Sequence, residues 1–284
     1  MKVAVLGNTG MLGGMLERTL KRMDGIEVKG YGRETLDLFP RSLNQIGGLL
    51  TKILGFDTDY VVNCMGATKP YFNDCSDLSI PIYANALFPH QLAQWAELVP
   101  RDIKIIHITT DCVYDGLMGA YDEFDIHSPP DVYGKSKSLG EPPNAMCLRT
   151  SIIGPEFNSN KKHFLSWVKS LSGNGEKAKG FINHFWNGLT TLELSYAIAE
   201  IMISGLYETN VFHMFSTDIS KYEMVRLITE IYDLDIEIEQ FRAPVAIDRR
   251  LRSVSGLNDV ISPAPFNVMI KELRDWEYNE KPPF

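Results

Sequence analysis

The chain opens on a strand, a glycine turn and a helix, and that start confines it to few folds. Lys2 to Leu6 reads Lys-Val-Ala-Val-Leu, a short β-branched run of the kind buried in a parallel sheet. Gly7-Asn8-Thr9-Gly10-Met11-Leu12-Gly13 follows, with a glycine at every third position. Met11, Leu12, Met15, Leu16, Leu20 and Met23 then recur at helical spacing and predict a helix over 11–23. Strand, turn and helix in this order are the setting of a dinucleotide fingerprint. Gly7 permits the tight turn, Gly10 lets backbone approach a pyrophosphate, and Gly13 lets the helix pack close to the sheet. Met11 and Leu12 complete the turn, where the unpaired amides of a helix start face phosphates. The spacing differs from the common Gly-x-Gly-x-x-Gly, and a glycine turn alone is an ordinary connection. Its placement favours nucleotide binding.

Ile26 to Tyr31 predicts the second strand, which runs into Gly32-Arg33. An acid there would bond the adenosine ribose hydroxyls, whereas an arginine can pair with a 2′-phosphate. Arg33 therefore favours NADPH over NADH. The choice stays open, because Glu34 follows and Arg33 also fits a solvated loop.

Strand and helix patterns alternate through the first half. Helices are predicted over 43–54 and 82–99, strands over 60–64, 103–109 and 145–148, and a helix from Val132 after Pro129-Pro130. This alternation means an α/β fold: a Rossmann-type doubly wound parallel sheet covered on both faces. After Gly154-Pro155 the pattern loosens, with helices over 163–171, 192–206, 221–232 and 268–276 and a strand over 236–241. The division expected is a dinucleotide-binding domain over 1–155 and a substrate-binding lobe over 156–284, with a strand near 211–215 returning to the main sheet.

Composition removes several functions. At 284 residues and 44% hydrophobic the chain suits a globular fold, and no apolar run reaches the ~18 residues of a spanning helix. With no basic start and apolar signal core, a cytoplasmic protein away from membranes is expected. Net charge is −8 with no basic tract, which argues against nucleic acid. Cys64, Cys75, Cys112 and Cys147 lack Cys-x-x-Cys spacing, so neither metal nor disulfide is expected.

Tyr133 and Lys137 stand four residues apart on the helix predicted from Val132, so they share a face. A lysine cation beside a phenol, with the positive ring of an oxidised nicotinamide, draws the phenol below its usual pKa near 10. In the reducing direction the phenol protonates a ketone oxygen, help worth about 10²–10⁴-fold. Thr110, at a strand end, can donate to the same oxygen as charge develops. Tyr-x-x-x-Lys by spacing alone is common and usually solvated; Thr110 and the glycine turn set this one apart.

Thr109-Thr110-Asp111-Cys112-Val113-Tyr114-Asp115-Gly116, Tyr133-Gly134-Lys135-Ser136-Lys137-Ser138-Leu139-Gly140-Glu141 and Leu148-Arg149-Thr150-Ser151 resemble the extended short-chain dehydrogenase/reductases. Within them the chain is most similar to the dTDP-4-dehydrorhamnose reductase group, well over residues 1–155 and more loosely beyond. The resemblance implies NADPH-dependent reduction of the 4-keto group of a nucleotide-activated 4-keto-6-deoxyhexose, in deoxysugar biosynthesis. Thr110, Tyr133 and Lys137 match the catalytic positions, and Gly10, Met11 and Leu12 the pyrophosphate loop. Asp37 and Leu38 match residues beside the adenine, and Gly66 and Ala67 those near the ribose and nicotinamide. Asn85 matches an asparagine of the long helix. The partner implied is a nucleotide sugar, with a homodimer as an open option.

Sugar-nucleotide 4,6-dehydratases carry Thr-Asp-Glu where this chain has Thr110-Asp111-Cys112, so dehydration lacks its base. The resemblance to GDP-fucose synthase raises an alternative, a combined 3,5-epimerase and 4-reductase using Cys112 and His163. A second alternative is a non-catalytic, NADP-binding regulatory subunit. Asp111, Cys112 and His163 are thus expected at the substrate. In the second half, Trp186 and Asn187 suit a sugar's face and hydroxyls, although Trp186 equally suits a core. Arg249, in Asp248-Arg249-Arg250-Leu251-Arg252, could meet a substrate diphosphate or belong to a surface basic cluster.

Overall fold

The computed structural model describes residues 1–32, 43–69, 72, 77–157, 163–173, 175 and 177–280. Arg33, Asp37 and Leu38 lie outside the described residues. Six parallel strands form the main sheet, in the order β10-β5-β4-β3-β1-β2: β1 (Lys2–Leu6), β2 (Glu27–Tyr31), β3 (Tyr60–Asn63), β4 (Lys104–Thr110), β5 (Met146–Thr150) and β10 (Val211–His213).

Period-2 alternation divides these strands between two cores. Val3, Val5, Val62, Ile106 and Ile108 enter one, packed with Leu12, Met15, Leu16 and Leu20 of α1 (Met11–Leu20) and with α7 (Thr191–Ile203). Ala4, Leu6, Val61 and Ile105 enter the other, with Ile53 of α2 (Leu43–Gly55) and Phe88 and Leu92 of α4 (Phe88–Leu98). Both faces are therefore apolar, which is why the strands read as continuous hydrophobic runs.

Two predicted helices differ in detail. α1 ends at Leu20 because Arg22 and Met23 donate to Thr19 and Leu20 three residues back, a tightened last turn ahead of Gly25. The single helix expected over 82–99 is α3 (Ser79–Ile82), a π turn (Tyr83–Leu87) and α4. Pro89 explains the wide turn: it has no N–H to give the Asn85 carbonyl four residues earlier.

Beyond β5 the remaining elements are β6 (Ile152–Ile153), α6 (Phe164–Ser170), β7 (Lys177–Phe181), β8 (His184–Trp186), β9 (Leu189–Thr190), β11 (Ile219–Ser220), α8 (Lys221–Ile231), β12 (Glu237–Phe241), β13 (Ile247–Asp248), α9 (Leu257–Ile261) and α10 (Phe266–Glu280). They make small sheets, β11-β8-β13, β12-β7 and β6-β9. α8 starts at a capping box in which Ser220 and Glu223 satisfy each other's backbone N–H. Ahead of β6 comes α5 (Val132–Ser138), which carries Tyr133 and Lys137.

Candidate active site

The site lies at the carboxyl edge of the sheet, where the strand order 2-1-3 reverses direction. Register aligns Leu6 of β1 with Asn63 of β3 and Asn63 with His107 of β4. The glycine turn, the loop after β3 and Thr110 therefore leave the sheet on one side.

The glycine turn is built for close approach. Gly7 has φ +81°, and a Cβ on Gly13 would stand 2.3 Å from the Gly7 carbonyl oxygen. Gly10 caps α1 without a side-chain bond, and the first turn holds no acid. Its amides are thus left for an anion, which fits a dinucleotide pyrophosphate. Leu12 points into the core, so only its backbone can serve a ligand, while Met11 is half-buried.

The loop after β3 forms the next wall. Asn85 accepts from the Ala67 N–H (2.8 Å) and donates to the Ala67 carbonyl (2.9 Å) and to Ser136 Oγ (3.0 Å). Ala67 thus has its own backbone groups bound by Asn85, and the exposed Gly66 is the open position. A Cβ there would lie 3.9 Å from Lys137 Nζ. Asn85 is a brace tying this loop to α5.

α5 carries Tyr133 and Lys137 beside the strand that ends in Thr110. Lys137 is 4% exposed and donates from Nζ to the Ile108 carbonyl (2.9 Å), on the strand that ends in Thr110. Thr110 Oγ1 donates to Asp111 (3.2 Å) and accepts from the Cys112 N–H (3.2 Å). Asp131 caps α5 by accepting from Gly134 N–H (2.8 Å) and pairs with Lys69 (2.8 Å). Phe72 lays an edge-on ring 6.2 Å from that of Tyr133. Gly134 lets the helix meet the turn after β4, since a Cβ would stand 2.3 Å from the Cys112 carbonyl oxygen. Beyond the helix, Glu141 bonds Thr109 (3.0 Å) and grips Arg149 with both oxygens (2.8 and 2.6 Å).

Burial pushes the Tyr133 phenol up, aided by Cys112, Asp111 and Asp131, with Thr110 acting in the other direction. The Lys137 ammonium donates to the Ile108 carbonyl, and burial pulls Lys137 itself to about 8. A phenol held up in this way stays protonated and available as an acid. Burial likewise pushes Cys112 up to about 12, with Asp111 adding to it, and raises Asp111.

The remaining sequence candidates divide. Arg249 donates to the Tyr114 (3.1 Å) and Asp115 (3.3 Å) carbonyls and is felt electrostatically by Asp111 and Cys112. His163 precedes α6 and belongs with Glu156: its N–H donates to one carboxylate oxygen (2.9 Å), and its ring Nε2 is 3.7 Å from the other. Trp186 needs correction, being 5% exposed with its ring edge-on to Phe266 at 5.7 Å in the core. Asn187 does too. Its amide is bound by both backbone groups of Leu251 (2.9 Å each) and by Asp218 (3.2 Å), which closes the loop rather than facing a sugar. Sequence reasoning missed Lys69, Phe72 and Gly134; of these only Gly134, inside the Tyr133–Lys137 interval, carried a local signal.

The chain is similar to known proteins. The chain is 28% identical over 226 residues (75% of this chain, 73% of the other) to a protein of Haloferax volcanii named probable low-salt glycan biosynthesis reductase Agl14. It is 26% identical over 246 residues to the methionine adenosyltransferase 2 subunit beta of Danio rerio, covering 82% of this chain and 74% of that one. The dTDP-4-dehydrorhamnose reductase of Bacillus anthracis, solved with NADP, superposes with a TM-score of 0.78 over 99% of both chains at 18% identity. The model of the RmlD substrate binding domain matches residues 1–254. The chain belongs to the RmlD substrate binding domain family.

Proposed function

We propose that the protein is an NADPH-dependent reductase of the 4-keto group of a nucleotide-activated 4-keto-6-deoxyhexose, working in cytoplasmic deoxysugar biosynthesis. The observation that carries this reading is the bond from Lys137, on the helix that also carries Tyr133, to the Ile108 carbonyl two residues before Thr110 at the end of β4. A reduced nicotinamide dinucleotide, held by the Gly7–Gly13 turn and by Gly66, supplies the hydride when bound. Thr110 donates to the substrate's carbonyl oxygen as negative charge grows on it. Tyr133 gives that oxygen its phenolic proton, so the ketone becomes an alcohol. Lys137 places a cation behind the phenol and opposes the charge left on it.

The relatives support the substrate class: the Haloferax volcanii protein is named a probable low-salt glycan biosynthesis reductase, and the Bacillus anthracis dTDP-4-dehydrorhamnose reductase was solved with NADP. Reduction is favoured over epimerisation because Cys112 is kept as a thiol, pushed up to about 12, whereas a base must be a thiolate. His163, its proposed partner, is engaged by Glu156. The regulatory reading has the Danio rerio subunit behind it, yet a pure binding subunit has no need of Thr110, Tyr133 and Lys137 together. No described helix is long and apolar enough to cross a membrane.

The test is nicotinamide oxidation on a panel of dTDP-, UDP- and GDP-linked 4-keto sugars. Turnover with at least one, without solvent deuterium entering sugar C3 or C5, is the expected result. Deuterium at those carbons would instead establish the epimerase, and silence across the panel would favour the regulator.

A further inference from the structure

We propose that Arg149 is a positioning residue of the reduction, holding the two flanks of Thr110 and the segment after α5 in one rigid frame. This rests on the reduction proposed above. Arg149 is 4% exposed on β5, where it lies opposite Thr109, just as Thr150 lies opposite Thr110. Its Nε and Nη2 donate to the two carboxylate oxygens of Glu141 (2.8 and 2.6 Å), and Glu141 in turn accepts from Thr109 Oγ1 (3.0 Å). Its Nη1 donates to the Tyr114 hydroxyl (2.8 Å), which gives its own hydrogen bond to the Asp122 carbonyl (2.8 Å). Thr109 precedes Thr110, and Tyr114 follows it by four residues. Glu141 comes three residues after Ser138, the end of the helix that carries Tyr133 and Lys137. One guanidinium thus joins the strand end, the turn after it and the helix of the site.

Geometry accounts for such a pair better than attraction does. Taking a guanidinium and a carboxylate out of water is costly, and an apolar pair of similar volume often holds a fold as well. What the planar fork adds is direction, because its donors are fixed relative to one another. A lysine in this place would keep the charge and lose the fork. The frame also reaches into the second half of the chain. His213 Nδ1 donates to the Arg252 carbonyl (2.7 Å), which leaves Nε2 to accept from Arg149 Nη1 (3.2 Å). Burial holds that imidazole below its ordinary range, against Glu123 and together with Arg149, so the ring stays a neutral acceptor. Glu123 accepts from the His213 N–H (3.1 Å), from Ser253 Oγ (2.6 Å) and from the Val254 N–H (3.0 Å). Arg149 acts on the reaction through Thr109 and Tyr114, and a displacement of about 1 Å at Thr110 is enough to cost about 10²-fold in rate.

The experiment follows hydride transfer in a single turnover, counted per bound NADPH. The KM of the accepted 4-keto sugar nucleotide, NADPH affinity by fluorescence and thermal unfolding are measured in parallel. Arg149→Lys should slow transfer about tenfold to 10²-fold, while KM and NADPH affinity stay within about threefold. Tyr114→Phe removes one oxygen and keeps the buried ring; it should slow transfer about threefold or more, and it stands in where Arg149→Lys folds poorly. A scaffold role alone would lower the melting temperature and leave transfer per bound NADPH at the wild-type rate. That result in either variant would overturn the positioning role and leave the reduction standing. A raised KM with unchanged transfer, or equal losses of transfer and NADPH affinity, would also overturn it. No reduction of any 4-keto sugar nucleotide by the wild-type protein would remove the reduction and the positioning role together.

Discussion

Lys137 gives a hydrogen bond to the carbonyl of Ile108 at 2.9 Å, and Ile108 lies two residues before Thr110 on the same strand. One strand end therefore sets both the cation and the hydroxyl of the site. Burial has already drawn this lysine down to about 8. Below that pH it is protonated; above it the site loses its cation. The rate of reduction at saturating substrate should accordingly fall as pH rises through about 8. Lys137→Met should lower turnover about 10²-fold or more and abolish that inflection. A pH–rate profile of both proteins checks this, and an unchanged inflection in the variant would assign it elsewhere.

Gly134 should not tolerate a methyl group. Its Cβ would stand 2.3 Å from the Cys112 carbonyl oxygen and 2.7 Å from Pro129 Cβ, both parts of the frame around Tyr133. Gly134→Ala should therefore shift α5 and destabilise by about 1–3 kcal/mol. Turnover should fall further than NADPH affinity, because the glycine turn is remote from the clash. Chemical denaturation with steady-state kinetics reads both quantities.

Trp186→Ala tests a buried aromatic. The ring meets Phe266 edge-on and is 5% exposed, so its removal should cost about 3–5 kcal/mol. Thermal unfolding should report the loss. An unchanged melting temperature with weakened substrate use would return Trp186 to the sugar face.

Cofactor choice is a prediction from sequence, since Arg33 lies outside the described residues. Arg33→Ala should raise the KM for NADPH and leave that for NADH nearly unchanged. Equal effects on both would remove the basis for preferring the 2′-phosphate.

Much of the fold was legible because its signals are local. The β1–turn–α1 start shows in consecutive residues, and the strands announce themselves as apolar runs because both faces are covered. Thr110, Tyr133 and Lys137 were legible in the same way, through a strand end and one helical turn. The misreadings arose where partners are distant in sequence. Asn187 beside Gly188 resembles an exposed sugar contact until Leu251 is brought to its amide. Phe72 and Lys69 reach α5 only through the loop after β3. The break in the long helix was written locally, in Pro89, but its effect on the Asn85 carbonyl is clear only in three dimensions.

The phenol of Tyr133 carries the central claim. Tyr133→Phe deletes one oxygen and keeps the ring against Phe72, so the fold and the dinucleotide cradle should survive. The developing alkoxide would then have Thr110 as its remaining donor and no acid to complete the reduction. Single-turnover oxidation of NADPH by the accepted 4-keto sugar nucleotide should slow by about 10²-fold or more, equivalent to roughly 3 kcal/mol of barrier, with NADPH affinity unchanged. Reduction by Tyr133→Phe at near wild-type rate would contradict the account and place the chemistry elsewhere.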